Sequence, residues 1–315
     1  MNKHVAIIGT GVIGSGWTAR FLAAGHTVTA WDPSPDFGDR LRTSVQRCIP
    51  AMQRIGLAQH IDINRLIIAE SLESACVQAN FIQESVPEDI NIKQDVHRRI
   101  EQATGEDTII ASSSSGLLPT EIQQVHTHPE RMLIGHPFNP VYLLPLVEIV
   151  PGESSVQSTI DTTESFYRSL GMHPLVLKRE IEGYLSDRLQ EALWREALHL
   201  VNDGVATTEQ LDDAITYGPG LRWAIMGTCL TFHLAGGDGG MRHMLEQFGP
   251  ALKLPWTKLE APELTTELIE KMVGGTASQA GDKSITELEQ LRDECLTEIM
   301  RALQKFDVGA GRLIR

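Results

Sequence analysis

A doubly wound, mostly parallel α/β sheet followed by an all-α domain is the fold class this sequence predicts, and three observations carry it. From the N-terminus to Leu177, short apolar runs alternate with amphipathic helical patterns, which is the rhythm of parallel strands covered on both faces. The first apolar run, Val5-Ala6-Ile7-Ile8, leads into Gly9-Thr10-Gly11-Val12-Ile13-Gly14. From Gly183 onward the pattern is helical only, with Leu185, Leu189, Leu193, Ala197 and Leu200 recurring at three or four residues. This change places a boundary between an N-terminal domain, 1–182, and a C-terminal helical domain, 183–315.

The elements follow in order. Ser15–Ala24 reads as a helix closed by Gly25, and Thr27–Trp31 as the second strand. A long helical segment spans about 36–58, then come a strand at Leu66–Ala69 and a short helix at 74–79. Phe81–Gln83 is a strand, Ile92–Thr104 a helix, and Thr108–Ala111 a strand followed by a helix starting near Pro119. Arg131–Phe138, Pro145–Val150 and His173–Leu177 complete the strands. Beyond the helix that starts near Gly183, helices are expected near 207–217, 220–235, 240–249, 263–273 and 284–306.

The glycine turn and the residue that ends the second strand make one unit. Gly9 permits the turn out of a buried strand, Gly11 allows close backbone approach to a pyrophosphate, and Gly14 lets the next helix pack on the sheet. Val12 and Ile13 lie between them, where a helix opens with unpaired N–H groups and a positive dipole end. Asp32 stands eighteen residues after Gly14, where its carboxylate accepts from ribose hydroxyls. The N-terminal domain is therefore expected to be Rossmann-like. The cofactor is expected to be NAD rather than NADP, because Asp32 repels a 2′-phosphate and no Arg occupies 33–36.

Composition narrows the partners. With a formal charge of −14 and no basic face visible in the sequence, no nucleic acid is expected as a partner. No run approaches the roughly 20 apolar residues of a membrane span. The first residues run straight into a strand, which leaves no room for a leader and points to the cytoplasm. Cys48, Cys76, Cys229 and Cys295 are scattered without metal-ligand spacing; buried thiols in a reducing compartment and no metal are expected. The helices after 183 are apolar on more than one face, as in Trp223–Leu230, which predicts a homodimer.

Three polar clusters fall at C-terminal strand ends, where such sheets hold ligands: Ser112-Ser113-Ser114-Ser115-Gly116, His136 in Gly135-His136-Pro137-Phe138-Asn139-Pro140, and Glu148 in Leu146-Val147-Glu148-Ile149-Val150. An ionised Glu148 among aliphatics needs a partner, and His136 is the natural one. Such a pair suits a base that takes an alcohol proton while hydride leaves for a nicotinamide. Each residue also has a plainer reading: a helix cap for the serines, a turn residue for His136, an edge position for Glu148.

Together these segments resemble the 3-hydroxyacyl-CoA dehydrogenase family. Ser115, His136 and Glu148 stand at the spacings of its catalytic serine, histidine and glutamate, and Glu88 and Lys93 match its cofactor-contacting acid and lysine. The resemblance runs to about Gly240. It implies a Rossmann-like domain, a helical dimerising domain, and oxidation of a 3-hydroxy group by NAD. Two departures bear on the substrate. The family's Asn in P-G-F-x-x-N-R is Asp187 here, and its G-Y-P-M-G-P-F segment is replaced by Tyr217-Gly218-Pro219-Gly220-Leu221-Arg222-Trp223-Ala224. Arg222 is similar to the branch acting on small carboxylates. The substrate this implies is a small zwitterionic 3-hydroxy acid, with Arg222 holding a carboxylate and Asp187, Trp223, Phe232 and Trp256 facing a quaternary ammonium. A sugar acid such as L-gulonate, a short 3-hydroxyacyl-CoA, or a non-catalytic NAD-binding sensor or crystallin-like protein are the alternatives.

Overall fold

The structure, a computed structural model, describes residues 3–58, 61–224, 226–258, 260 and 262–314. It divides into two compact units, the first running to Asp187 and joined by Leu313 and Ile314, the second Arg188–Arg312.

Strands dominate the first unit because its apolar residues alternate between two covered faces. β1 (His4–Ile8), β2 (Thr27–Trp31), β3 (Leu66–Ile68), β4 (Phe81–Glu84), β5 (Ile109–Ser112), β6 (Met132–Pro137), β7 (Leu146–Pro151) and β8 (His173–Val176) form one sheet in the order β3-β2-β1-β4-β5-β6-β7-β8. All neighbours are parallel except β6 and β7. In β1, Val5 and Ile7 join one core while Ala6 and Ile8 join the other, the two-residue period of a strand buried on both sides. The first core is closed by α1 (Val12–Ala23), α2 (Phe37–Arg54) and α6 (Gln157–Ser169), through Trp17, Phe21, Val45, Met52, Phe166 and Tyr167. The second is closed by α3 (Leu72–Cys76) and α4 (Ile90–Ala103). A short α5 (Pro119–Gln123) starts at Pro119, whose missing N–H costs nothing in a first turn.

Helix α6 is absent from the expectations. Its buried residues Thr159, Ile160, Thr163, Phe166 and Tyr167 keep helical spacing, but three of the five are Thr or Tyr, so the apolar stripe is diluted to the point where periodicity does not register.

The second unit is wholly helical: α7 (Ser186–Asn202, which starts in the first unit), α8 (Thr208–Thr216), α9 (Pro219–Trp223), α10 (Thr228–Ala235), α11 (Gly240–Phe248), α12 (Thr266–Ala280) and α13 (Ile285–Gln304). Its small core joins Leu198, Val201 and Leu268 with Leu211 and Met272. Two expectations are corrected here. The helix expected over 220–235 is two helices, because Gly227 breaks the run and caps α10; Ile225 lies outside the described residues. Only Cys48 and Cys76 are buried, whereas Cys229 and Cys295 are exposed. Among the described residues no helix is long and apolar enough to cross a membrane.

Candidate active site

The single antiparallel pairing in the sheet builds the centre of the site. β6 and β7 lie in a register that sets His136 directly opposite Glu148, and opposed side chains on one face of an antiparallel pair are in contact range. His136 Nδ1 donates to Glu148 Oε2 at 2.9 Å. Glu148 also accepts from the backbone N–H groups of Leu185 and Ser186, both at 3.0 Å, and from the Ser186 hydroxyl at 2.6 Å. Burial raises the Glu148 pKa, but the donors from His136, Ser186 and Leu185 outweigh it and hold the carboxyl below the usual range. The ionised carboxylate only accepts, so the proton on His136 sits at Nδ1 and Nε2 is the acceptor. The same carboxylate pairs the first N–H groups of α7, tying the start of that helix to the His136–Glu148 pair.

Small residues make room for this pair. A Cβ on Gly135 would meet the Tyr167 hydroxyl at 2.0 Å, and that hydroxyl donates to Gln83, whose amide donates to the Gly135 carbonyl. Tyr184, at a positive φ of 47°, lays its ring 5.5 Å from that of His136 and donates its hydroxyl to Leu117 O.

The serine run divides into three anchors and one exposed residue. The Ser112 hydroxyl donates to Glu84, that of Ser113 accepts from Trp17 and Gln83, and that of Ser114 donates to Glu88 at 2.6 Å. Ser115 is exposed and anchored by its backbone N–H, which donates to Glu88 at 2.9 Å. Glu88 thus gathers the loop; it accepts from Gly116 N–H as well. Lys93, 1 % exposed, spends its ammonium on Glu84, Glu88 and the Val86 carbonyl.

Asp187 is brought to His136. Its Oδ2 lies 3.7 Å from His136 Nε2, with the side chain 33 % exposed; that separation is too long for a direct hydrogen bond.

The glycine turn has the geometry its residues imply. Gly9 sits at φ +91°, and a Cβ there would strike the Ser85 carbonyl at 2.5 Å. A Cβ on Gly14 would strike Gly9 O at 2.0 Å, so α1 closes on the turn only with glycine at that position. At Gly11 a Cβ would meet nothing within 4 Å, which is open space at the mouth of the turn. Ser15 N–H is paired with Gly11 O, leaving the N–H groups of Val12, Ile13 and Gly14 to an anionic ligand. Asp32 joins this turn: its oxygens accept from Thr10 and Ser34 N–H at 2.8 and 2.9 Å. Burial opposes the charge on Asp32, but those donors prevail and lower its pKa.

Sequence reasoning passed over Glu84 and His97. Glu84 ends β4 fully buried, held by Lys93, Ser112 and His97. His97 Nδ1 lies 2.9 Å from His126 Nε2, and His126 faces Glu101 at 3.4 Å. The signal was available, since a Glu closing an apolar strand poses the same pairing demand as Glu148.

Arg222 and Trp223 close α9 and Phe232 lies on α10, all exposed within the second unit. Gly218 and Gly220 let α9 turn back on α8, since a Cβ at either would meet the Ala214 or Ile215 carbonyl within 2.7 Å. Trp256 is exposed as well.

Residues 4–181 match the NAD-binding domain of 3-hydroxyacyl-CoA dehydrogenases, and residues 183–282 match their C-terminal domain. An L-carnitine dehydrogenase of Pseudomonas sp. is 55 % identical over 96 % of this chain and 94 % of its own length. Another, of Oceanobacillus iheyensis, is 53 % identical over 96 % and 99 %. Among solved structures, 5-formyl-3-hydroxy-2-methylpyridine 4-carboxylic acid 5-dehydrogenase, an NAD-dependent dismutase, superposes with a TM-score of 0.82 at 29 % identity, covering 96 % of this chain and 99 % of that one.

Proposed function

The chain belongs to the 3-hydroxyacyl-CoA dehydrogenase family, and from that premise we propose that it oxidises the 3-hydroxyl of L-carnitine to give 3-dehydrocarnitine, a step of carnitine catabolism. The substrate reading draws on the similarity to L-carnitine dehydrogenases over nearly the whole chain. The observation that carries the chemistry is the His136–Glu148 pair, which leaves Nε2 as a proton acceptor.

The residues of the glycine turn fit a dinucleotide: Gly9, Gly11, Val12, Ile13 and Gly14 would hold the pyrophosphate, and Asp32 the adenosine ribose. Bound NAD supplies the hydride acceptor for C3. His136 Nε2 takes the hydroxyl proton as hydride leaves, and Glu148 stabilises the resulting imidazolium and fixes the ring. Ser115 hydrogen-bonds the substrate oxygen from the loop that Glu88 and Lys93 organise beside the cofactor. Arg222 is the group proposed to bind the substrate carboxylate bidentately, and Trp223 and Phe232 offer aromatic faces for the quaternary ammonium. We place the enzyme in the cytoplasm, in keeping with cysteine thiols that form no disulfide, as a homodimer joined through helices that expose Leu189, Leu193, Leu230 and Val273.

The test is His136→Gln, which keeps the ring's volume roughly and removes the base. Turnover of L-carnitine should fall by about 10²–10⁴-fold while NADH binding, followed by fluorescence, stays unchanged. Retained turnover would remove His136 from the mechanism.

A further inference from the structure

A carboxylate beside the reacting nitrogen is an unusual neighbour for a base that must receive a neutral hydroxyl. Asp187 Oδ2 stands 3.7 Å from His136 Nε2, in the first turn of α7, where the helix dipole favours its negative charge. Glu148 bears a second negative charge on the opposite side of the same ring. Any substrate whose hydroxyl reaches Nε2 therefore puts its neighbouring substituents within the field of Asp187.

Substrate geometry turns this into a selection rule. The hydroxyl oxygen must lie about 2.8 Å from Nε2 to give up its proton. In a 3-hydroxy-4-trimethylammonio acid the nitrogen is three bonds from that oxygen, so about 3–4 Å away in every conformer. The cation is thus confined to a shell of about 7 Å around Nε2, the shell in which Asp187 already lies. A quaternary ammonium donates no N–H, so it gains from a diffuse Coulomb field without needing hydrogen-bond geometry. The substrate carboxylate is repelled from the same side.

We infer that Asp187 is the specificity-determining residue for the charge at C4: it selects a 3-hydroxy acid with a cationic C4 substituent, and it orients that substituent toward the start of α7. This rests on the proposed oxidation of L-carnitine. In the related family pattern the residue is a neutral Asn, and the exchange to Asp is what adapts the same base to a cationic alcohol.

The probe is a neutral isostere, 3-hydroxy-5,5-dimethylhexanoate, in which carbon replaces the quaternary nitrogen. Wild-type protein and Asp187→Asn are assayed with NAD on L-carnitine and on the isostere. The expected result is a fall in kcat/KM for L-carnitine on the order of tenfold to a hundredfold in the variant, carried mainly by KM. Activity on the isostere should hold or rise, and KM for NAD should be unchanged. Asp187→Glu, which keeps the charge, should retain the preference for L-carnitine. Equal losses on both substrates would mean that Asp187 acts on His136 and not on the cation, which overturns the inference while leaving the proposed function intact. Wild-type protein that oxidises neither L-carnitine nor the isostere would overturn both.

Discussion

In the proposed reaction His136 holds a proton during each hydride transfer, and its surroundings suit that role. The ring is buried, bonded to Glu148 at Nδ1, and packed against Tyr184. Because the Glu148 pKa is lowered, the pair stays intact throughout the neutral range and is lost only as pH falls below the usual carboxylate values. A different residue governs stability nearer neutrality. Burial first, and then the charge of His97 and of Arg131, lower the His126 pKa to about 3 from 6.5, with Glu101 opposing. The unfolded chain therefore binds a proton at His126 that the folded chain refuses. Stability from this source is complete above about pH 6.5 and is lost as pH falls from there toward 3. The groups around it are His97, Glu101 and Arg131, with Glu84 behind His97. His126→Gln should flatten the fall in Tm between pH 7 and pH 5, measured by calorimetry. A wild-type Tm that is level across that interval would contradict the assignment.

At the scale of elements, the glycine turn, the β6–β7 pair and the start of α7 separate fold from function. Gly11 faces open space, whereas a Cβ on Gly14 would run into the Gly9 carbonyl. Gly11→Ala should leave Tm within about a degree or two and raise the Kd for NADH at least tenfold by blocking close approach. Gly14→Ala should lower Tm and NADH affinity together. If Gly11→Ala bound NADH like wild type, the pyrophosphate would not lie at this turn. These elements were legible in the sequence because each carries its own constraint: paired glycines, a strand-end Asp, and a Glu among aliphatics that needs His136 as a partner; the antiparallel pairing of β6 and β7 that joins the two was not. Helix α6 was not legible, since its inward Thr163 and Tyr167 take polar roles in the core, Tyr167 bonding Gln83. Nor was the break at Gly227, because apolar residues on both sides of it mimic one continuous helix.

At the scale of the whole molecule, the candidate residues fall in both units. The first carries the turn, the serine loop, His136, Glu148 and Asp187, and the second carries Arg222, Trp223 and Phe232. Residue spacing pointed to the proposed reaction in the first unit because the groups it invokes are held on strand ends with fixed geometry. The proposed substrate end drew only on departures from the family pattern, since Arg and Trp on short helices have no obligatory spacing. A net charge of −14 suits a substrate that carries a cation and disfavours the polyanionic CoA ester. One measurement tests this account most directly: the rate of NADH formation by the purified protein with NAD, at mildly alkaline pH, on L-carnitine, D-carnitine, L-gulonate and 3-hydroxybutyryl-CoA in parallel. The account predicts a kcat/KM for L-carnitine that exceeds the others by at least about a hundredfold, the equivalent of roughly 2.7 kcal/mol. Comparable or greater activity on L-gulonate or the CoA ester would contradict it.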